Sequence, residues 1–408
     1  MQWESLGFSA NPLSTDPIKQ ATLPLYVGQA EEITRCLNVL SNRNATLIIE
    51  GSRGVGTTSF ANSVRFRLQN QKMYLTPQNE IRVEKGWMLE TLLAVVIANV
   101  VRELELFHPE AVLTDQKFQN AKALSIRIAE AYRSFGLEAF GVGVNYGKSA
   151  GINSQPLIVS SAVLGHHLED LTQMIQSLGY KHGILIQLNN LDIGAIHDTD
   201  HMRYLFNALR DYIQTDGVSW VLVGDVGLRR FIAQEVDRLD DIISYEVLIE
   251  ALSESEFLEL IDKRIEYFKS NAKAELPVDR PVLLYLFKIT KGRLRYIFGL
   301  LTRLMSSLSI GNLTDKVTLD IAKPMIIQLA KERIGRVSLI PTEEQLLRLI
   351  VTERSVPPNV LAAKMGKSAS FISKILASLM AAKLISVKIE GRHRIYAPVL
   401  DAEIAYSE

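Results

Sequence analysis

The feature that most constrains the fold is a short apolar run followed at once by a glycine-rich loop and a helix-forming segment. Residues 45–50 read ATLIIE, which predicts a buried strand, and residues 51–60 read GSRGVGTTSF. A strand, a glycine-rich loop and a helix in this order are the context that a phosphate-binding loop requires. An ordinary glycine-rich turn is the alternative, but the strands and helices that follow along the chain favour a phosphate loop.

Composition limits the classes of protein that this chain can belong to. It has 408 residues, 47% of them hydrophobic, with one cysteine, Cys36, and with 45 basic and 45 acidic residues. The length predicts two or three domains, and one cysteine excludes an internal disulfide framework and a multi-cysteine zinc site. Because the net charge is zero, any binding to nucleic acid must come from a local basic patch.

Targeting and membrane signals are missing from the sequence. The first residues contain Glu4 and no apolar core of a signal peptide, and the most apolar run, residues 92–101, is interrupted by Asn99. That run is shorter than the roughly 20 residues that a membrane helix needs. We therefore expect a cytoplasmic protein with no membrane partner.

Strand-like and helix-like segments alternate through the first two thirds of the chain, which predicts a three-layer α/β domain with a largely parallel sheet. The predicted strands are residues 46–50, 184–188, 218–223 and 245–249, with a further strand near 81–83. Residues 135–149 read as a β-hairpin or a mobile insertion. After Leu252 the strand signals stop, and Ser253 is a predicted helix N-cap. The predicted domains are an N-terminal arm (1–25), a nucleotide-binding-like α/β domain (26–252), a helical lid (253–335) and a C-terminal domain (341–408).

The glycine-rich loop departs from the Walker A pattern G-x-x-x-x-G-K-[ST] at one position. Thr57 replaces the lysine that reaches the β and γ phosphates, whereas Thr58 keeps the hydroxyl that holds Mg²⁺. A charge-assisted hydrogen bond contributes about 1.5–3 kcal/mol, so its loss lowers affinity about ten- to hundredfold. Arg53 is a candidate substitute charge. The candidate nucleotide-binding residues here are Gly51, Arg53, Gly54, Gly56, Thr57 and Thr58.

The segment expected to supply the metal-orienting acids carries amides instead. The apolar run 184–188 ends in Asn189 and Asn190, followed by Leu191 and Asp192. An amide brings no negative charge for Mg²⁺ and cannot act as a general base. We interpret Asp192, the nearby carboxylate, as a cap of the following turn in preference to a metal ligand. The sequence therefore predicts a degenerate Walker B motif at Asn189, Asn190 and Asp192, with little or no hydrolysis.

Taken together, the motifs resemble those of AAA+ ATPases. YVGQAEEI, GSRGVGTT, ILIQLNNLD, VLVGD and KGRLRYIFGLL occur in the order of that family. The arrangement resembles the initiator clade, the archaeal-type origin-recognition proteins, and is also similar to prokaryotic AAA+ regulators of transposition and defence loci. GFSANPL near the start is similar to the GF..NPF entry of that second group.

The resemblance implies further site residues and ligands. Asp225 stands at the position of sensor 1 and Arg295 at that of sensor 2, where an arginine approaches the γ-phosphate. The implied cofactor is ATP or ADP, with Mg²⁺ at Thr58; a loop that binds no nucleotide is the alternative. The implied protein partners are further AAA+ subunits of the same or another kind, or another protein. A trans-acting arginine finger has four candidates: Arg203, Arg210, Arg229 and Arg230.

The last segment predicts a winged helix-turn-helix. Helices at 342–353, 357–365 and 368–384 are followed by strands at 385–390 and 394–398 around Gly391. Basic residues outnumber acids between Lys364 and Arg394, which is the pattern expected for binding the phosphates of duplex DNA. A winged helix that contacts protein is the alternative. The candidate DNA-binding residues are Lys367, Ser368, Ser370, Ser373, Lys374, Arg392 and Arg394.

Three functions remain open on these residues. The first is a DNA-binding AAA+ regulator or initiator-like assembly factor that binds nucleotide with little or no hydrolysis. The second is a catalytically dead scaffold that recruits a partner protein through its winged helix. The third, an active ATP hydrolase with unusual chemistry, is disfavoured because Thr57, Asn189 and Asn190 remove charge at three positions of one site.

Overall fold

The structure is a computed structural model that describes residues 3–134, 159–193, 197–308, 316–335, 337–390 and 393–406. The chain forms two compact units. We name residues 16–252 the α/β unit, and residues 1–15 together with 253–408 the helical unit. Residues 3–15 of the predicted arm thus belong to the helical unit and residues 16–25 to the α/β unit. The predicted domain boundaries at 26, 253 and 341 stay predictions.

The α/β unit alternates helices and strands as the sequence predicts. A short 3₁₀ helix, Gln20–Leu25, precedes the first α-helix. The predicted insertion at 135–149 lies outside the described residues. The elements that follow are α1 (Ala30–Leu40), β1 (Thr46–Gly51), α2 (Thr57–Asn70), β2 (Ile81–Arg82), α3 (Leu89–Phe107), α4 (Pro109–Val112), α5 (Gln116–Ser134), α6 (Ser161–Ser177), β3 (Ile184–Asn189), α7 (Thr199–Ile213), β4 (Val218–Gly224), α8 (Leu228–Glu235), α9 (Asp237–Asp240) and β5 (Tyr245–Ile249).

Among the described residues, five strands form one parallel sheet in the order β2-β3-β4-β1-β5. The register pairs Ile48 with Leu222 of β4 and with Glu246 of β5. The predicted parallel sheet is therefore confirmed, including the short strand at Ile81–Arg82. Because β1 is flanked by β4 and β5, the loop after β1 opens at the carboxyl edge of the sheet, where α/β proteins bind ligands.

The strands are buried on both faces, which explains their continuous apolar runs. Ile48 and Trp220 pack in one core, whereas Leu47, Ile49 and Val221 pack in the other, as alternation along a strand requires. Helices α3, α6 and α7 cover the first face, and α1 and α2 cover the second. The three layers that the sequence predicts are present.

The helical unit consists of two parts of the chain. The first part contains a 3₁₀ helix, Trp3–Leu6, and the second part starts at Ser253. The Oγ of Ser253 accepts a hydrogen bond from the N–H of Glu256 at 3.3 Å, and the Glu256 carboxylate accepts one from the Ser253 N–H at 2.8 Å. This capping box is the predicted start of the helical region. The helices that follow are α10 (Glu254–Phe268), α11 (Arg280–Ile289), α12 (Leu294–Leu308) and α13 (Leu319–Gly335).

We name residues 341–406 the C-terminal module. Its elements follow the order predicted for a winged helix, except that the last helix was not predicted and the third ends at Ala381 rather than at residue 384. Lys383, with φ of 57°, is in the left-handed conformation just beyond that helix end. The elements are α14 (Pro341–Glu353), α15 (Pro358–Met365), α16 (Ala369–Ala381), the antiparallel strands β6 (Ile385–Glu390) and β7 (His393–Pro398), and α17 (Leu400–Ala405).

Helix α17 packs on α13 within the helical unit. Its residues Leu400, Ala402 and Ile404 are buried, and the carboxylate of Asp401 lies 2.8 Å from the guanidinium of Arg333. In the described part of the chain, no helix combines the length and the apolar character needed to cross a membrane.

Candidate functional site

The loop between β1 and α2 has the backbone expected of an anion-binding loop. Gly54 and Gly56 have φ of 91° and 111°, in the left-handed region that other residues rarely adopt. A Cβ on Gly56 would meet no atom within 4 Å, so the backbone conformation requires glycine here and packing does not. The first N–H groups of α2 lack partners within the helix and carry its positive dipole end. The loop can therefore present amides to an anion.

Gly51 is required for a different reason. A Cβ there would lie 2.8 Å from the carbonyl oxygen of Ile249 and 2.9 Å from the hydroxyl of Thr57. Both distances are shorter than real Cβ contacts. Thr57 thus occupies the lysine position with its hydroxyl turned to the end of β1, and it brings no charge to the loop.

Asn189 lies at the end of β3, directly beside the hydroxyl position of the loop. It is 4% exposed, and its amide nitrogen lies 3.5 Å from Thr58 Oγ1. Gln187, which sequence reasoning did not single out, donates a hydrogen bond of 2.9 Å from its side-chain amide to Oδ1 of Asn189. The side chain therefore presents a donor to Thr58, and its oxygen accepts from Gln187. A metal-orienting carboxylate would instead present a negatively charged acceptor oxygen at this position.

Arg53 is paired with acids. Its Nη2 lies 3.0 Å from Asp192 Oδ2, and its Nε lies 3.4 Å from Asp225 Oδ2. We name these three residues the Arg53 cluster. One cation with two carboxylates leaves the cluster net negative at neutral pH. The sequence suggested Arg53 as a substitute for the lysine charge and Asp192 as a turn cap, but the structure pairs the two side chains with each other.

Asn190 and His197 shape the segment that carries these amides. Asn190 has φ of 65°, and its carbonyl oxygen lies 2.8 Å from Nε2 of His197. His197 is 2% exposed, and burial lowers the pKa of its ring below the usual value. The neutral tautomer that carries its proton on Nε2 donates to Asn190. Asn190 therefore contributes its backbone carbonyl oxygen here, and its side chain is exposed.

Glu50, at the end of β1, holds the loop that follows β4. Its Oε2 accepts hydrogen bonds of 3.0 Å from the N–H groups of Gly227 and Arg229. A carboxylate at the N-terminus of α8 stabilises the helix through its dipole. This contact positions Asp225 next to Arg53, and no local sequence signal marks it.

The four candidate arginine fingers all have partners within the α/β unit. Arg229 contacts both Asp240 and Glu246. Arg203 contacts Glu235 and donates to Asp200 at 2.8 Å. Arg210 donates to the carbonyl oxygen of Arg238, and Arg230 donates to Gln234. The structure therefore singles out none of the four.

Arg295 belongs to the helical unit, on the first turn of α12. The preceding turn is formed by Lys291 and Gly292, both with positive φ, and Lys291 Nζ lies 2.9 Å from Glu403 of α17. Arg295 is exposed. Its role toward a nucleotide stays a prediction.

The C-terminal module presents the second candidate site. Ser368 caps α16, because its Oγ accepts the N–H of Phe371 at 3.3 Å; this bond uses the oxygen as an acceptor and does not use the hydroxyl proton. Lys364 contacts Glu353, which removes one cation from the predicted basic patch. Arg392 lies outside the described residues. The remaining candidates are exposed: Lys367, Ser370, Ser373, Lys374 and Arg394.

The residues at the phosphate loop fit a phosphate and do not fit Mg²⁺. The open backbone at Gly56 leaves room for an anion, whereas Thr58 faces an amide nitrogen in place of a carboxylate. Among the residues that the structure describes, no group of three His, Cys, Asp or Glu side chains is arranged to hold a metal ion. The assignment of Mg²⁺ to Thr58 stays a prediction.

Comparisons with known proteins bear on the fold. No protein-family model and no curated protein matches the chain. Among solved structures, the Aeropyrum pernix ORC2 protein in ADPNP–ADP complexes is 12% identical, with a TM-score of 0.50 and coverage of 97% of this chain and 95% of that one. The A. pernix ORC1 protein in complex with DNA is 15% identical, with a TM-score of 0.45 and coverage of 94% and 92%.

The Walker-type ATPase of Pyrococcus abyssi is 15% identical, with a TM-score of 0.49 and coverage of 97% and 99%. The second and third likenesses are too weak to carry an argument, and the first shows the fold alone. Together with the sheet order, it shows a P-loop α/β fold of the AAA+ type, like that of the A. pernix ORC2 protein.

Proposed function

We propose that this protein is a DNA-binding AAA+-type regulator or assembly factor that binds nucleotide as a structural ligand with little or no hydrolysis. The observation that carries the proposal is the pairing of an intact phosphate-loop backbone with an amide where the metal-orienting acid would be. Gly54 and Gly56 keep the anion-binding conformation, and Asn189 presents its amide nitrogen to Thr58. Such a site can hold phosphates, and the position next to Thr58 carries an amide, which cannot polarise water.

Nucleotide binding without Mg²⁺ is the direct test. We expect ATP or ADP in EDTA to raise the melting temperature, because a ligand a hundredfold above its dissociation constant stabilises the folded state by about 2.7 kcal/mol. The Thr58→Ala variant should lose part of this shift. Thr34→Ala, which removes an exposed hydroxyl on α1, is the matched control and should retain it. No shift with any nucleotide would contradict this part of the proposal.

The DNA-binding part rests on exposed cations of the C-terminal module. Lys374 and Lys383 are exposed and form no ion pair with any residue in the described ranges. Phosphate contacts release counterions, so we expect affinity for duplex DNA to fall steeply as salt rises. An affinity for DNA that does not change with salt concentration would contradict phosphate recognition and favour a winged helix that contacts protein.

A second candidate, a scaffold that needs no nucleotide, is favoured by the Arg53 cluster. Arg53 lies in the loop, yet two carboxylates within 3.4 Å neutralise it. A net negative cluster beside the loop opposes the approach of a triphosphate. The same thermal shift measurement separates the two candidates, because the scaffold predicts no change with nucleotide in wild-type protein.

A further inference from the structure

The exposed face of α16 offers few groups for reading base edges by hydrogen bonds. Its sequence, ASFISKILASLMA, contains one charged residue, Lys374, and no Asn, Gln, Arg, Asp or Glu. Bidentate recognition of guanine or adenine uses Arg, Lys, Asn or Gln. Direct readout by this helix therefore depends on Lys374, on short hydroxyls and on apolar contact. Its solvent-facing side chains include Ala369, Ser370, Phe371, Ser373, Lys374 and Ala377.

Phe371 stands out on this face because it is a large aromatic residue on the first turn. It is 38% exposed, whereas Ile372, Ile375 and Leu376 of the same helix are at most 6% exposed and form the core. Phe371 thus lies at the edge of the core, with more than a third of its surface open to a ligand.

The surroundings of Phe371 match a nucleic-acid surface. The Nζ of Lys367 lies 6.0 Å from the ring centroid, and Lys374 follows three residues later, on the same side of the helix. An aromatic ring between two exposed cations is positioned where phosphates would flank it on both sides. This charge pattern favours duplex DNA as the occupant over an apolar protein surface.

We infer that Phe371 contacts the C5-methyl groups of thymine in the major groove, so that the protein prefers A·T-rich duplexes. This inference rests on the proposed DNA binding. The thymine methyl is the one apolar group that base pairs of unmodified DNA present in that groove, and Phe is a suitable partner for it. Burying one methyl group accounts for about a fourfold change in affinity.

Duplexes that differ only in the methyl group test the inference. The full chain is titrated by fluorescence anisotropy against an A·T-rich duplex and against the same duplex with deoxyuridine in place of thymidine, at one salt concentration. We expect wild-type protein to bind the thymidine duplex at least about fourfold more tightly. Phe371→Ser should bind both duplexes equally, and Phe371→Leu, which keeps an apolar side chain, should retain part of the preference.

Met380→Ala is the matched control, because Met380 is 39% exposed at the other end of the same helix. This variant should keep the full preference, and thermal melting should show that all variants are folded. Equal binding of both duplexes by wild-type protein, with normal salt dependence, would overturn the inference and leave the proposed function standing. A preference that survives in Phe371→Ser would overturn the role of Phe371. Binding to no duplex at all would overturn the proposed DNA binding and the inference with it.

Discussion

The candidate sites of the α/β unit and of the C-terminal module differ in how their cations are paired. Near the phosphate loop, Arg53 pairs with Asp192 and Asp225, and Arg229 contacts Asp240 and Glu246. In the C-terminal module, Lys374 faces solvent without an ion pair among the described residues. The comparison teaches that the arginine of a glycine-rich loop can be held in ion pairs while lysines elsewhere in the chain stay exposed.

The buried charged residues of the α/β unit, like those near the loop, are bonded to other groups of the protein. Arg65 is fully buried and donates to the carbonyl oxygens of Pro77 and Gln78. Glu103 is 2% exposed and accepts the N–H of Gln78 at 2.9 Å. Burial lowers the pKa of Arg65 to about 10 and raises that of Glu103 from 4.5 to about 7. Both groups hold the segment that leads into β2.

The largest expected effect follows from Glu103. Its folded-state pKa is raised, so the folded protein holds the proton more tightly, and stability is lost as pH rises from about 4.5 to about 7. That shift corresponds to about 3 kcal/mol. Glutamine does not titrate. We therefore expect the free energy of unfolding of Glu103→Gln, relative to that of wild type, to rise by most of this amount between about pH 5 and about pH 8 in urea unfolding. Glu105→Gln, on the same helix but partly exposed, is the control, and parallel pH curves for all three proteins would refute the assignment.

The second prediction restores the lysine of the Walker A pattern at position 57 and tests whether the loop binds phosphate. Thr57→Lys should raise nucleotide affinity about ten- to hundredfold, because it restores one charge-assisted hydrogen bond of about 1.5–3 kcal/mol. Thr57→Gln has a long side chain without the charge and is the matched control. Titration calorimetry gives the dissociation constants. If the lysine and glutamine variants bind alike, the loop is not a phosphate site.

Releasing Arg53 should have a smaller effect. Asp225→Asn removes one of the two carboxylates that neutralise it, and we expect nucleotide affinity to rise about 1.4- to fivefold, since exposed ion pairs contribute about 0.2–1 kcal/mol. The double variant Arg53→Ala, Asp225→Asn should show a smaller gain than Asp225→Asn alone. An equal gain in both would mean that Arg53 takes no part.

The smallest effect is expected on the DNA surface. Lys374→Ala should weaken binding about uniformly across sequences and lower the salt slope by about one. Lys323→Ala, an exposed lysine of α13 outside the C-terminal module, should change neither quantity. Loss of binding to one sequence only would show that Lys374 reads bases, and would weaken the contrast between the two regions.

The sequence predicts the fold well because the fold depends on local signals. Buried strands such as β1 and β4 are continuous apolar runs, and Gly54 and Gly56 mark the loop. The Arg53 pairing joins residues 139 positions apart, and Glu50 caps a helix 177 positions away, so neither leaves a local pattern. Helix α17 has six residues, too few to be stable alone, and depends on its packing against α13.

Steady-state phosphate release from ATP in the presence of Mg²⁺ tests the central claim most directly. The claim is that Asn189, with its amide turned to Thr58, leaves the loop able to bind phosphates and unable to hydrolyse them. We expect wild-type protein to release phosphate at a rate near background, and Thr58→Ala to leave that rate unchanged. A robust turnover in wild type that disappears in Thr58→Ala would contradict the account.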